Sequence, residues 1–332
     1  MKTYHLYGIG AALVDTEIEV SDQDLQDMGV EKGLMTLVDA DQQQRLTDQL
    51  TGHMVHAKLA SGGSACNSIY AASCFGAKSF YSCKVANDDN GNFFLNDLKT
   101  AGVDCNSQHH GDDGNTGKCL VLITPDAERS MNTHLGISES LSAAQINAEA
   151  IAQSEYLYME GYLVTSDTGR AAAIQAREIA EKNGVKTAIS LSDPGMVEFF
   201  KDGLQAMIGT QVSLLFCNED EAKGWADSDN IDDAITALKL IADTFAITMG
   251  AKGALIFDGE RLINIAANKV KAIDTNGAGD MFAGAFLFAI THGHSYQTAG
   301  ELASLAAANV VSNYGPRLNA DKHGELLTRI LN

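Results

Sequence analysis

Short apolar runs alternate with stretches whose apolar positions recur at helical spacing along most of the chain. YHLYGIGAAL (4–13), AKSFYSCKVA (77–86), EYLYMEGYLV (155–164), VKTAISLSD (185–193), VSLLFCNE (212–219) and TFAITMG (244–250) read as strands. Between them SACNSIYAASCFG, NGNFFLNDLKTAG, GRAAAIQAREIAEKNG, GMVEFFKDGLQAMIG and IDDAITALKLIAD read as helices, and several stop at a glycine. Strands alternating with helices in this way predict a doubly wound α/β fold, a mainly parallel sheet with helices on both faces.

Two segments break the rhythm. Residues 15–38 hold two short strand-like runs around an acidic helical turn, and residues 113–135 read as a hairpin turning at Thr124-Pro125-Asp126. Together they predict a small β-sheet lid. The remaining pieces, 1–14, 39–112 and 136–332, then form the α/β core. With three prolines and no linker or low-complexity tract, one compact unit with a lid is expected, with no internal repeat.

Composition narrows the partners. The 332 residues carry a formal net charge of -20, so a phosphate-backbone binder is not expected, and an anionic ligand needs a local positive site. No run reaches the ~18 apolar residues of a membrane span, and the N-terminal apolar stretch reads as a strand rather than a signal peptide. The six cysteines (66, 74, 83, 105, 119, 217) form no C-x-x-C pair. Buried free thiols in a reducing, cytoplasmic compartment are expected. The histidines form no metal signature, and His109-His110 and His292/His294 are expected in solvated loops.

Four glycine-bearing or polar motifs carry candidate chemistry. DTNGAGD (274–280) runs into the apolar stretch MFAGAFLFAI. Glycines ahead of a helix let backbone N–H groups and the helix dipole hold a phosphate. Asp280 then either caps the helix or takes a proton from an attacking hydroxyl. TMGAKGALIF (248–257) is a strand-to-strand turn or part of a ligand loop. In CNEDEA (217–222), Asn218 and Glu221 either cap a helix together or offer oxygen to Mg²⁺. SGGSACNSIYAA (61–72) starts a helix, with Ser64 as cap, or brings Gly62, Gly63 and Asn67 to a ligand. GIGAALVD (8–15) lacks the third glycine of a dinucleotide loop, since Leu13 stands there.

In the order SGGSACN, NEDE, TMGAKG, DTNGAGD, the chain resembles the ribokinase-like (PfkB) family of carbohydrate and nucleoside kinases over nearly its whole length. The resemblance implies ATP and Mg²⁺ as cofactors and a small-molecule nucleoside or sugar as partner, in a monomer or homodimer. It implies Asp280 as general base, and the N–H groups of Asn276, Gly277, Ala278 and Gly279 as the hole for the transferring phosphoryl group. Asn218 and Glu221 would organise Mg²⁺, largely through water. Thr248, Gly250 and Gly253 would line the ATP site, and Gly62, Gly63 and Asn67 would hold sugar hydroxyls. Asp15, at the end of the first strand, would accept from vicinal hydroxyls, and Arg129 would reach the phosphates. A K⁺ site would lie near Asp274 and Asn313–Gly315.

Three features lean toward the adenosine kinases: the acidic insert after Asp15, ISLSDPGMVEFF (189–200) and AERSMNTHLG (127–136). Ser64-Ala65-Cys66 and Asp193 depart from that pattern. The resemblance therefore implies phosphorylation of a nucleoside, with adenosine 5′-OH first. A kinase of fructose, ribose or 2-keto-3-deoxygluconate stands beside it, and a non-catalytic nucleotide-binding protein on the same fold is a third reading. An apolar slot for the base would favour the first, and an extra cation near the acceptor would favour a sugar acid.

Overall fold

The computed structural model describes residues 2–53, 60–106 and 114–331. The His109-His110 pair and residue 113 lie outside them. The strands are β1 (Tyr4–Ile9), β2 (Leu13–Glu19), β3 (Met35–Leu37), β4 (Ala60–Gly62), β5 (Ser79–Ser82), β6 (Val103–Cys105), β7 (Thr116–Ile123), β8 (Arg129–Gly136), β9 (Ser154–Glu160), β10 (Lys186–Ser190), β11 (Val212–Asn218), β12 (Ala242–Thr248), β13 (Ala254–Phe257) and β14 (Leu262–Ile265). Nine of them form one sheet in the order β14-β13-β12-β11-β10-β9-β1-β5-β6, and the other five form a second sheet in the order β3-β8-β7-β2-β4.

In the large sheet every pairing from β6 to β12 is parallel, and β13 and β14 close that edge antiparallel. Alternate side chains feed two cores. Leu6, Tyr156 and Tyr158 join the core under helices Ser64–Phe75, Ala278–Thr291 and Tyr296–Val310. Tyr7, Leu157 and Met159 join the opposite core under helices Asp167–Lys182 and Pro194–Ile208. A strand buried on both faces produces this pattern, and it is why these runs are apolar almost throughout. Helix Ala278–Thr291 is buried from Met281 through Ala289. Gly284 lets it close on helix Ser64–Phe75, because a Cβ there would stand 2.3 Å from the Ser68 carbonyl oxygen.

From β1 the chain reaches β5 on one side, while β9 lies on the other, so the strand order reverses beside β1. In open α/β sheets, ligands bind outside the carboxyl ends of strands at such a point. There the run expected as a single strand from 4 to 13 divides. The chain leaves the large sheet at Ile9 and enters the small one at Leu13. Gly10 sits in the gap, where a Cβ would stand 2.5 Å from the Glu160 carboxylate. The second glycine of GIGAAL thus makes room for a side chain of β9.

The small sheet draws on more of the chain than residues 15–38 and 113–135. β2 begins at Leu13, and Ala60–Gly62, inside the segment expected in the core, pairs antiparallel with it. A three-residue Ala-Ser-Gly run carries no β-branched signal, so only tertiary pairing reveals it. Leu46 and Leu50, from helix Ala40–Gln49 and its end, pack with Ile18, Val20, Leu25, Leu120 and Leu122 beneath this sheet. The hairpin turns at Thr124–Glu128, where Thr124 N–H donates to the Glu128 carbonyl and Ala127 takes φ +67°. Helices Tyr296–Val310 and Ala320–Leu331 also lie where the pattern assigns none. The six cysteines are free, and no helix among the described residues is long and apolar enough to cross a membrane.

Candidate functional site

A cleft of about 240 Å³ lies between the two sheets at the strand-order reversal. Asp15, Gly63, Asn67, Arg129, Asn218, Glu221, Thr248 and the whole Asn276–Asp280 stretch line it. Twelve of the fifteen residues singled out above therefore meet in one place. Gly62, Gly250 and Gly253 do not line it.

Helix Ala278–Thr291 starts from Gly277, which takes φ +71° and supplies no side-chain cap. Asp280 lies in its first turn, inside the helix, and its carboxylate does not cap it. Instead Oδ1 accepts the Ser64 hydroxyl at 2.7 Å and Oδ2 accepts the Asn67 amide at 3.1 Å. Ser64 is likewise not a cap, since Gly63 holds that place at φ +99°. Burial pushes the Asp280 carboxyl above the usual aspartate range, while Ser64, Asn67, Arg129 and Arg317 draw it back.

The loop before the helix is tied down. Asn276 N–H donates to Asp274 Oδ1 at 2.8 Å and Ala278 N–H to the Thr275 carbonyl at 3.3 Å, so these two are already engaged. The N–H groups of Gly277, Gly279 and Asp280 have no acceptor among the described residues. These, with the dipole behind them, are what the loop can offer an anion. Gly277 is held because a Cβ would stand 2.4 Å from Pro316, whereas a Cβ at Gly279 would meet open space.

Asp15 stands on β2 of the small sheet rather than at the end of the first strand, and is buried. Burial raises its carboxyl to about 7, with Arg317 pulling down and Asp280 pushing up. Gly62 backs it: a Cβ there would stand 2.0 Å from Asp15 Oδ1. Arg129 begins β8, and its Nε is buried with no hydrogen-bond partner. It is the only cation among the described residues lining the cleft.

Asn218 and Glu221 form a reciprocal capping box at 2.8 and 3.0 Å, with a further amide contact at 2.6 Å. Burial lifts Glu221 to about 8. Among the described residues no three His, Cys, Asp or Glu side chains group as a metal site. The two side chains are thus engaged with each other. Gly253 takes φ +97° and would collide with the Ile265 carbonyl, so it serves the β12–β13 turn. Asp193 caps helix Pro194–Ile208 by accepting Gly195 N–H, which accounts for its place before Pro194. Phe199 points to solvent.

A model of the family described as pfkB family carbohydrate kinase matches residues 33–323. The chain belongs to this family. The solved adenosine kinase of Sinorhizobium meliloti superposes with TM-score 0.91 at 31% identity, over 97% of this chain and 98% of that one. A probable sugar kinase from Rhizobium etli CFN 42 superposes with TM-score 0.93 at 30% identity, over 99% of both chains. The adenosine kinase of Saccharomyces cerevisiae is 28% identical over 340 residues, 96% of this chain and 98% of its own. The protein is an ATP-dependent phosphotransferase of the pfkB family, adenosine kinase-like, with the ribokinase-like fold.

Motif reading missed three contributors to the site. Glu160, buried at the end of β9, accepts N–H bonds from Ala11 at 2.7 Å and Ala65 at 2.8 Å, and burial raises it to about 7. Glu17 is fully buried on β2 and accepts the Asn276 amide at 3.3 Å. Arg317 stands behind Asn67. None belongs to a glycine-rich motif, and their partners lie far away in sequence.

Proposed function

We propose that the protein transfers the γ-phosphoryl group of ATP to the 5′-hydroxyl of adenosine, giving AMP and ADP. Support comes from the cleft wall on the small-sheet side. Leu13, Met35, Leu37, Met131 and Leu135 line it, with Phe216 and Phe282 from the large-sheet side. An apolar slot of this kind suits a flat purine. A sugar acid needs a cation for its carboxylate, and Arg129 is the only one lining the cleft among the described residues.

In this reading Asp15 accepts hydrogen bonds from the ribose hydroxyls, beside the backbone at Gly62 and Gly63 and the Asn67 amide. Asp280 takes the proton of the 5′-hydroxyl as its oxygen attacks the γ-phosphorus, and the bond from that phosphorus to the β-phosphate bridging oxygen breaks. The free N–H groups of Gly277 and Gly279 and the Arg129 guanidinium meet the charge on the phosphoryl oxygens. Thr248, with the turn at Gly250 and Gly253, borders the ATP side. Asn218 and Glu221 would hold the water shell of Mg²⁺, which would supply neutralisation of phosphate charge when bound with ATP. Seating of the small sheet over the cleft keeps water from competing with the acceptor.

The proposed K⁺ position is the loop pair at Asp274 and Asn313–Gly315. There Asp274 Oδ2 accepts Gly315 N–H at 2.9 Å, and the buried Glu17 Oε2 has no hydrogen-bond partner. A coupled ADP-release assay tests the whole reading. It compares adenosine, inosine, guanosine, cytidine, ribose, fructose and 2-keto-3-deoxygluconate, each with and without K⁺. Adenosine should give the highest kcat/KM. A sugar or sugar acid turning over faster than every nucleoside would overturn the choice of acceptor.

A further inference from the structure

Arg317 lies outside every motif above, and its side chain is only 11% exposed. Each of its three guanidinium nitrogens has a hydrogen-bond partner. Nε donates to Asn67 Oδ1 at 3.1 Å, one terminal nitrogen donates to Asp97 Oδ2 at 2.6 Å, and the other donates to the carbonyl and hydroxyl of Ser61. One face lies 3.7 Å from the centroid of the Tyr70 ring. Ser61 N–H and hydroxyl also donate to Asp97 Oδ2, so the guanidinium sits in a closed polar frame. It does not line the cleft.

The consequence concerns Asn67. A guanidinium can only donate, so the amide must turn its oxygen toward Arg317 and its nitrogen toward Asp280. Freed from Arg317, the amide could rotate and set its oxygen against the carboxylate, losing the bond that holds Oδ2. Asn67 would also lose the orientation in which its second N–H is available to an acceptor.

We propose that Arg317 is a positioning residue for phosphoryl transfer: it fixes the Asn67 amide and, through it, the Asp280 carboxylate. This rests on the reading of Asp280 as the base. Asp280 is faced by Asp15 from β2, Arg129 from β8, Tyr158 and Glu160 from β9, Tyr162 beyond it, and Arg317. Both cations favour its ionised form and the neighbouring acids oppose it, so removing Arg317 should also make Asp280 harder to ionise.

The test is a double-mutant cycle of Arg317→Met and Asn67→Ala, with Arg317→Lys beside it. It uses the full chain, ATP and adenosine, or the fastest acceptor of the panel above. Arg317→Met should lower kcat by about 100-fold, the scale of misplacing a reacting group, with KM for ATP unchanged. In the Asn67→Ala background the same change should cost less than about threefold, because the route is already cut. The acid limb of the kcat profile should move to higher pH in Arg317→Met and stay in place in Arg317→Lys, which keeps the charge and loses the Nε donor. If Arg317→Met does not fold, the cycle is run with Arg317→Lys. Costs that multiply across the cycle, or kcat near wild type in both variants, would overturn the proposal. Asp280→Asn separates the two readings: if it retains turnover, the base assignment fails, whereas its inactivity with a multiplicative cycle removes only the role of Arg317.

Discussion

The carbonyl of Ala127, at the tip of the small sheet's hairpin, accepts both the N–H and the hydroxyl of Thr275, at 3.3 and 2.9 Å. Thr275 belongs to the loop that precedes Asp280. From the neighbouring strand, Glu17 accepts the Asn276 amide of the same loop. The small sheet thus touches the loop before Asp280 at two points, so a change in one should be felt in the other. Thr275→Val removes the hydroxyl bond and keeps the volume. It should lower kcat several-fold and raise the acceptor KM while leaving Tm within about 4 °C, since one net hydrogen bond is worth ~1 kcal/mol. Steady-state kinetics and a thermal melt check it; unchanged kinetics would sever the link.

Asp280→Asn keeps the shape of the side chain and removes its basicity. Turnover should fall by ~10²–10⁴-fold, the usual contribution of a positioned base. ATP binding, followed by calorimetry, should stay close to that of the parent, because the free N–H groups of Gly277 and Gly279 are untouched. Ser64→Ala should lose less, since the Asn67 amide still holds Oδ2.

Two glycines of the same loop should separate stability from activity. Gly277→Ala meets a positive φ and a Pro316 carbon 2.4 Å away, so it should destabilise by ~1–3 kcal/mol or more. At Gly279 a Cβ meets nothing within 4 Å and the residue is helical, so Ala should leave stability unchanged or raise it by up to ~1 kcal/mol. That Cβ occupies the open side of the loop, and turnover should drop with it. Denaturant unfolding and kcat, measured on both variants, decide the matter. A Gly279→Ala enzyme with full turnover would mean that the phosphoryl group does not approach there.

The alternation of strands and helices was legible because each central strand is buried on both faces and outer helices such as Asp167–Lys182 show one apolar stripe. What escaped depends on contacts between distant parts of the chain. Ala60–Gly62 becomes a strand only through β2. The helix Tyr296–Val310 is rich in alanine and carries little contrast between its faces. Within DTNGAGD, residue type alone left Asp280 between cap and base. The cap reading gives way because Gly277 takes the first position and the carboxylate is held by Ser64 and Asn67. Arg317 had no local signal at all, since Asp97 and Ser61 stand 220 and 256 residues before it.

Buried acids set opposite pH trends for stability and activity. Burial raises Asp15 and Glu160 to about 7, and Glu17 and Glu221 to about 8, from ordinary values of 3.8 and 4.5. Between those limits the folded chain binds more protons than the unfolded one. Stability is therefore fullest below the unfolded values and is lost as pH rises through the folded ones. Tm should fall steadily from pH 5 to 8, by about 2–4 °C for each kcal/mol lost. With Asp280 as the base, activity should run the other way: it would act in its ionised form, and burial holds its carboxyl above the usual aspartate range. Glu17→Gln gives the sharpest check. The glutamine oxygen can still accept the Asn276 amide, and the neutral side chain has no charge to bury. The variant should match the parent near pH 5 and exceed its Tm at pH 8. If the gap between the two Tm values is the same at both pH values, Glu17 is not one of the groups that make the fold lose stability with rising pH.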